Sequence, residues 1–410
     1  MRHGLHAVVH PLSLLSCRDC GQGLRFPLLP SFPSDIFPQE SPRMIAPAHA
    51  FSSTYAQARA RFLDAAAAAG LTVESHPHPL PGREGEALAM DVVRDGPADA
   101  HRLLILSSAC HGVEGHCGSG VQVFALHDAA WRARARDAGL AVLYIHGLNP
   151  HGFSHTRRAT HENVDLNRNF QDFGRPLPVN EAYRDVAPLL LPARWPPSPE
   201  NERAVATFIA ERGEAAWQAA ITAGQHEFPQ GLFFGGTGPT WSNLTLRRVL
   251  RAHGAAARHI GWIDLHTGLG PSGHGERIYA GRNDAAAIAR ARAWWGGGGA
   301  TPVTSIYDGS SSSAFLTGLM WNSVYEECPQ AEMTGIALEY GTVPILEVLQ
   351  ALRADHWLHL HPEAPSGQAE AIRQQVLAAF YTDTPAWKVR IVEQAREALL
   401  QAADGLAGRP

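Results

Sequence analysis

From Phe51 onward, short and nearly continuous apolar runs alternate with longer stretches in which apolar residues recur every three or four positions. Residues 52–70 begin with the cap-rich Ser52-Ser-Thr54, continue with strong helix formers and end in Gly70, which predicts a helix. The apolar run 102–109 predicts a strand, 118–138 a helix and 141–147 a second strand, a βαβ order. Ser198-Pro-Glu-Asn-Glu202 sets a capping serine before proline and places acids at the positive helix end, opening a helix over 198–220. The same reading gives helices over 242–257, 284–295, 344–356, 367–381 and 385–403, and strands over 259–265, 277–280, 301–307 and 335–339. Strands apolar on both faces need cover on both faces. The expected fold is therefore α/β, a mostly parallel or mixed twisted sheet with helices on both sides.

Residues 1–45 differ: prolines and scattered histidines interrupt every period, so a disordered extension is expected there and a single domain over 46–410. Leu12-Ser-Leu-Leu-Ser-Cys17 has the outline of a lipoprotein cleavage site, but His6, His10 and Pro11 break the apolar stretch that such a signal needs, and Met44 offers an alternative start. The 410 residues with 45% hydrophobic content suffice for a large core. A formal charge of −5 supplies no basic field for nucleic acid, and no apolar run is long enough for a membrane span. A cytoplasmic protein acting on a small molecule or peptide is expected, with its oligomeric state unread. The five cysteines form no framework. Cys17-x-x-Cys20 lacks a second pair, and Cys110 and Cys117 read as packing residues.

The chemistry gathers at strand ends. His111-Gly-Val-Glu114 follows one strand and His266 ends another, and two imidazoles with one carboxylate are what a catalytic zinc site with an open position needs. Glu339 ends a third strand, and the loop after a fourth carries Arg157-Arg158 and Asp165-Leu-Asn-Arg168-Asn-Phe170. Ligands in such sheets bind where the carboxyl ends of strands meet. Asp264 shares a strand face with His266 and can orient its ring, or else cap the strand end. His116 sits one place too far for an inverted zincin motif, and His151, His155 and His161 read as mostly solvent-facing. The glycine- and aromatic-rich stretch 225–236 is either a substrate-covering loop or a packed connection. No Gly-x-Ser-x-Gly elbow points to a serine hydrolase.

Taken in order, His111-x-x-Glu114, Asn149-Pro-x-Gly152, Val164-Asp-Leu-Asn-Arg-Asn-Phe170, Asp264-Leu-His266 and Leu338-Glu339 resemble the zinc carboxypeptidase superfamily. That superfamily holds metallocarboxypeptidases and the aspartoacylase and succinylglutamate desuccinylase amidohydrolases. The chain is most similar to a bacterial branch built on a domain of unknown function, over about Phe51 to His361. The resemblance implies one zinc per chain held by His111, Glu114 and His266, with Glu339 as general base and Asn167 and Arg168 holding a substrate carboxylate. It further implies Arg157 or Arg158 as the oxyanion arginine, and Tyr307, before Tyr325, as the mobile active-site tyrosine. The implied activity is cleavage of an amide bond next to a free carboxylate, as in a carboxypeptidase. The alternatives are a deacylase of small N-acyl amino acids, toward which Asp264-Leu-His266 leans, and a binding module without catalysis.

Overall fold

The computed structural model of the chain describes residues 45–297 and 302–409. The expectation of disorder for the N-terminal extension falls, Ile45 apart, outside the described residues.

Eight strands form one sheet: β1 (Val73–Pro77), β2 (Ala89–Asp95), β3 (Arg102–Ser107), β4 (Ala141–His146), β5 (His259–Ser272), β6 (Gly275–Tyr279), β7 (Val303–Ser305) and β8 (Glu332–Gly341). Their order is β1-β2-β4-β3-β5-β8-β6-β7. The central four, β4, β3, β5 and β8, run parallel. β2 joins β4, and β6 joins β8, in antiparallel fashion, so the sheet is mixed.

Side-chain alternation distributes each central strand between two cores. Leu104 and Leu106 of β3, Ile263 and Leu265 of β5 and Ile336 and Leu338 of β8 enter one cluster. It is closed by helices Tyr55–Ala68, Gly115–His127 and Pro385–Ala407. Leu103 and Ile105, Ile260 and Trp262, and Met333 enter the opposite cluster beneath helix Trp241–Gly254. Burying one such Leu or Ile is worth about 1.5–3 kcal/mol, so these rungs hold the strand ends in fixed register. A third cluster joins helices Glu181–Leu190, Ile345–Leu360 and Ser366–Phe380. Among the described residues no helix is long and apolar enough to cross a membrane.

Two stretches expected as single helices are broken. Over 118–138 the chain forms Gly115–His127 and Ala129–Asp137, because Asp128 takes an extended conformation and accepts a hydrogen bond from Trp131 N–H, capping the second helix. Over 198–220 it forms Pro199–Arg212 and Glu214–Thr222, parted by Gly213 at φ +87°. β1 gave no apolar signal because Val73-Glu-Ser-His-Pro77 is a partly exposed edge strand.

Candidate metal centre

The register of the parallel strands places the candidate residues side by side. Ser107 of β3 lies opposite Asp264 of β5, and His266 of β5 opposite Glu339 of β8. Beyond β3 the chain turns sharply at Ala109, whose left-handed φ of +59° is costly for a residue with a Cβ, about 1–2 kcal/mol. The turn delivers His111 and a single 3-10 turn, Gly112–Glu114. Gly112 and Val113 N–H donate to the carbonyls of Arg158 and Arg157, docking this turn onto the arginine loop. A Cβ on Gly112 would stand 2.1 Å from the Gly152 backbone, so the approach needs glycine.

Glu114 is at the centre of the cluster. Its Oε1 lies 2.8 Å from His111 Nδ1 and its Oε2 2.9 Å from His266 Nδ1. Thr267 N–H also donates to Oε2, at 3.2 Å. The donor atoms of His111, Glu114 and His266 all lie within 4.8 Å of one another, and all three side chains are buried. Each imidazole has its far nitrogen on an aspartate: His111 Nε2 is 3.2 Å from Asp165 Oδ1, and His266 Nε2 is 2.5 Å from Asp264 Oδ2. Ser107 Oγ donates to the other Asp264 oxygen at 2.6 Å and accepts from Trp262 Nε1–H at 2.7 Å. Aspartates that accept Nε2–H leave both Nδ1 lone pairs turned to the Glu114 side, the arrangement of metal-ligating histidines held from behind. The residues therefore fit a zinc-type ion. Arg158, whose Nη2 comes within 2.8 Å of the same His111 Nε2, is held beside the ring by its hydrogen bonds to Asp165 and Glu114.

The electrostatics follow from this crowding. Burial opposes the charge of Glu114, but His111 and His266 outweigh it and hold the carboxyl far below its usual range. Burial likewise opposes Asp165, and Arg158, Arg168 and His111 overcome it. Burial works against the charged His266, yet Asp264 and Glu114 raise its pKa well above the ordinary value. At Glu339 the nearby cations His266 and Arg158 do not prevail over burial and Glu114. Burial first, and then Glu114, push its pKa up to about 8, with Leu269 N–H donating to its Oε1 at 3.0 Å.

A cavity opens on this cluster, lined by His111, Glu114, His266, Arg158, Asn167, Arg168 and Glu339. Its remaining walls are largely apolar: Ile278, Ile306 and Leu319 on one side, Val348, Leu352 and Phe380 on the other. The buried Arg168 guanidinium donates only to backbone carbonyls, Thr222 at 3.1 and 2.6 Å and Asn167 at 2.9 Å. Among the described residues it forms no ion pair, and burial lowers its pKa to about 10. Asn167 accepts from Met320 N–H through Oδ1. Phe233, from the aromatic stretch 225–236, stacks beneath both Arg158 and Arg168 at 4.8 and 5.7 Å.

Two of the candidate residues stand away from the cavity. Arg157 does not face the cavity. It pairs with Asp355 at 3.0 Å and binds His359 and Asn163, because successive side chains of the loop point to opposite sides and this one is taken up by helix Ile345–Leu360. Arg158 is the arginine at the cluster, 2.9 Å from Asp165 and 3.2 Å from Glu114. Tyr307 is also absent from the cavity wall. Ile306 takes the inward place after β7, and the Tyr307 hydroxyl donates to the Gly281 carbonyl at 2.6 Å. Tyr325 accepts from Arg282 N–H and lines no part of the cavity either. Asp165 was seen in sequence only as part of a motif. Its place behind His111 follows from a contact across 54 positions of chain, for which local pattern carries no signal.

Fold and cluster together define an α/β protein with a buried two-histidine, one-carboxylate site at the carboxyl ends of parallel strands. The chain belongs to the DUF2817 family, "Protein of unknown function (DUF2817)", which matches residues 51–394. No curated protein matches the sequence at a significant level. Among solved structures it is similar to carboxypeptidase A from Helicoverpa armigera, with 15% identity, 82% of this chain and 79% of that one covered, and a TM-score of 0.42. It is also similar to the murein-tripeptide amidase MpaA from Escherichia coli O157, with 16% identity, 70% and 91% covered and a TM-score of 0.33. The glutaminyl cyclase of Fimbriiglobus ruber aligns over 93% of this chain and 99% of its own, with 9% identity and a TM-score of 0.39.

Proposed function

We propose that the protein is a metal-dependent hydrolase that cleaves an amide bond next to a free carboxylate. The observation that carries this reading is Arg168, a buried guanidinium without a carboxylate partner on the same cavity as His111, Glu114, His266 and Glu339. A cation kept in that state is matched to an incoming carboxylate, which its planar fork binds through two oxygens.

His111, Glu114 and His266 would hold one zinc ion, which supplies Lewis acidity and a bound water acidified to a pKa of about 7. Asp165 and Asp264 fix the two ring orientations. Arg168, with Asn167 beside it, positions the substrate through its carboxylate. Glu339 is tethered through Oε1 to Leu269 N–H, which leaves Oε2 to take a proton from water and pass it to the leaving nitrogen. Arg158 faces the cavity and offsets negative charge growing on the carbonyl oxygen. A site for binding alone has no use for a proton acceptor so placed.

The cavity wall also selects between substrates. Among the described residues of the wall, Arg158 already has carboxylate partners in Asp165 and Glu114 whereas Arg168 has none, and the rest is mainly aliphatic. One carboxylate with an apolar side chain fits, which favours the C-terminal residue of a peptide. An N-acyl derivative of an apolar amino acid meets the same geometry, whereas an N-acyl dicarboxylic amino acid brings a second charge with no partner. Zinc-loaded protein offered matched peptides and N-acyl amino acids, apolar and acidic, with products identified by mass, tests the proposal. Release of an apolar amino acid is expected; inertness toward every free-acid substrate would overturn it.

A further inference from the structure

Helix Glu214–Thr222 ends against Arg168 at the cavity wall, which Thr222 also lines. The Thr222 carbonyl accepts from both Nε–H and Nη2–H of that arginine, and the Asn167 carbonyl accepts from Nη1–H. A guanidinium carries five N–H groups, so among the described residues one stays free on Nη1 and one on Nη2. These are the two prongs that take both oxygens of a single carboxylate. Gly224, at φ +89°, makes room for the side chain, since a Cβ there would stand 2.7 Å from Arg168 Cδ. Carbonyl and glycine together hold the fork in place.

Two more donors of the same wall are unused among the described residues. Asn167 spends its Oδ1 on Met320 N–H, and its Nδ2 has no partner. The Thr222 hydroxyl is buried and has no hydrogen-bond partner either. A threonine on a helix can bond its hydroxyl to the carbonyl four residues earlier, here that of Gln218, and Thr222 does not. A buried hydroxyl left in that state is costly unless a ligand completes it. Donors without acceptors suit a ligand that only accepts. An ionised carboxylate offers about four lone pairs on its two oxygens and no proton, which matches Nη1–H and Nη2–H of Arg168, Nδ2–H of Asn167 and the hydroxyl of Thr222. A C-terminal amide would set N–H groups of its own against them.

We propose that Thr222 is a specificity-determining residue of the cavity, its hydroxyl donating to the carboxylate that Arg168 grips, an inference that rests on the reading of Arg168 as a carboxylate clamp. Threonine on a helix divides between two χ1 positions, so the hydroxyl turns toward the fork when a carboxylate arrives and is shut away otherwise. The same residue then serves twice: its carbonyl holds the guanidinium, and its side chain reads what the guanidinium holds.

Zinc-loaded full-length protein titrated calorimetrically with 4-methylpentanoate, an aliphatic monocarboxylate, and with 4-methylpentanamide tests this. Native protein should bind the acid and discriminate strongly against the amide. Thr222→Val keeps the branched shape and removes the donor, so it should weaken the acid about 10-fold, as loss of a hydrogen bond to a charged group does. Its thermal midpoint should not fall, because no bond within the protein is broken. Thr222→Ser should restore the affinity for the acid. Should the Val variant not fold, Thr222→Ala gives the same comparison. Undiminished acid affinity without the hydroxyl would overturn the role of Thr222, and if Arg168→Ala abolished binding in the same titration the carboxylate clamp would stand. A lowered midpoint with equal losses on acid and amide would also overturn it, by showing a hydroxyl that serves the fold alone. Acid and amide bound alike by native protein would bring down the clamp itself.

Discussion

Replacing Arg168 by Ala removes the one guanidinium that, among the described residues, faces the cavity without an acidic partner, and its effect can be worked out before it is measured. Truncating one member of a buried, hydrogen-bonded charge pair costs about 2–5 kcal/mol, which is about 30- to 3,000-fold in kcat/KM at about 1.4 kcal/mol per factor of ten. The same substitution frees the Thr222 and Asn167 carbonyls, which the side chain now satisfies at 2.6–3.1 Å. Their loss should lower stability by about 1–3 kcal/mol. The two effects separate when kinetics are measured on matched pairs of free-acid and C-terminally amidated substrates, alongside the thermal midpoint. Native protein should prefer the free acid strongly. The variant should lose most of that preference and be little changed on the amide. Lys at this position should restore only part, since an ammonium lacks the two-pronged fork. Equal losses on acid and amide, together with a lowered midpoint, would show that Arg168 serves only to hold the Thr222 turn, and the carboxylate clamp would have to be abandoned.

Other outcomes follow from neighbouring residues. Glu339→Gln keeps the size of the side chain and its Leu269 contact but removes the proton acceptor, so turnover should fall about 100-fold or more while bound zinc is retained; normal turnover would place the base elsewhere. Asp264→Asn should weaken zinc about 10- to 100-fold by loosening the His266 ring, measured by competition with a chelator, and an unaltered affinity would deny it that role. Arg157→Gln breaks a buried pair with Asp355 and should cost about 3–5 kcal/mol of stability with little change in the kinetics of the folded fraction; loss of turnover at full stability would restore Arg157 to the site. Acid should destabilise the fold between pH 6.5 and about 4, because burial pulls the pKa of His116 and His146 down to about 4. Across that window the unfolded chain binds protons that the folded one refuses, so stability falls as pH falls, by up to about 3 kcal/mol per histidine. Denaturant titrations of native protein and His116→Gln over this range should show a shallower slope in the variant.

The sequence disclosed what is local and strongly periodic. The apolar runs of β3, β4, β5 and β8 and the long C-terminal helices were legible because burial on both faces, or along one stripe, writes itself into residue order. β1 was not, since an edge strand of mixed polarity looks like a loop. At the candidate site, His111, Glu114, His266 and Glu339 were singled out by motif and by their positions at strand ends, and the register brings His266 and Glu339 onto one rung. The choice between Arg157 and Arg158 could not be made from adjacent identical residues, because it rests on the distant Asp355 and Asp165, which claim one guanidinium each. That Ile306 and not Tyr307 lines the cavity was illegible for a similar reason: which of two neighbouring residues turns inward after a three-residue strand is decided by packing.

The shared rung of β5 and β8 has a bearing on how the protein would wear out. His266 and Glu339 ride on two strands at the middle of the sheet, the kind of element that opens last, whereas Asn167 and Arg168 belong to a segment between β4 and the helices that follow. Mild heat or denaturant would therefore erode discrimination first. On the proposed reading, an ageing sample should stop telling a free acid from its amide while His266 and Glu339 still share their rung, so an intact sheet is a poor certificate of a working preparation.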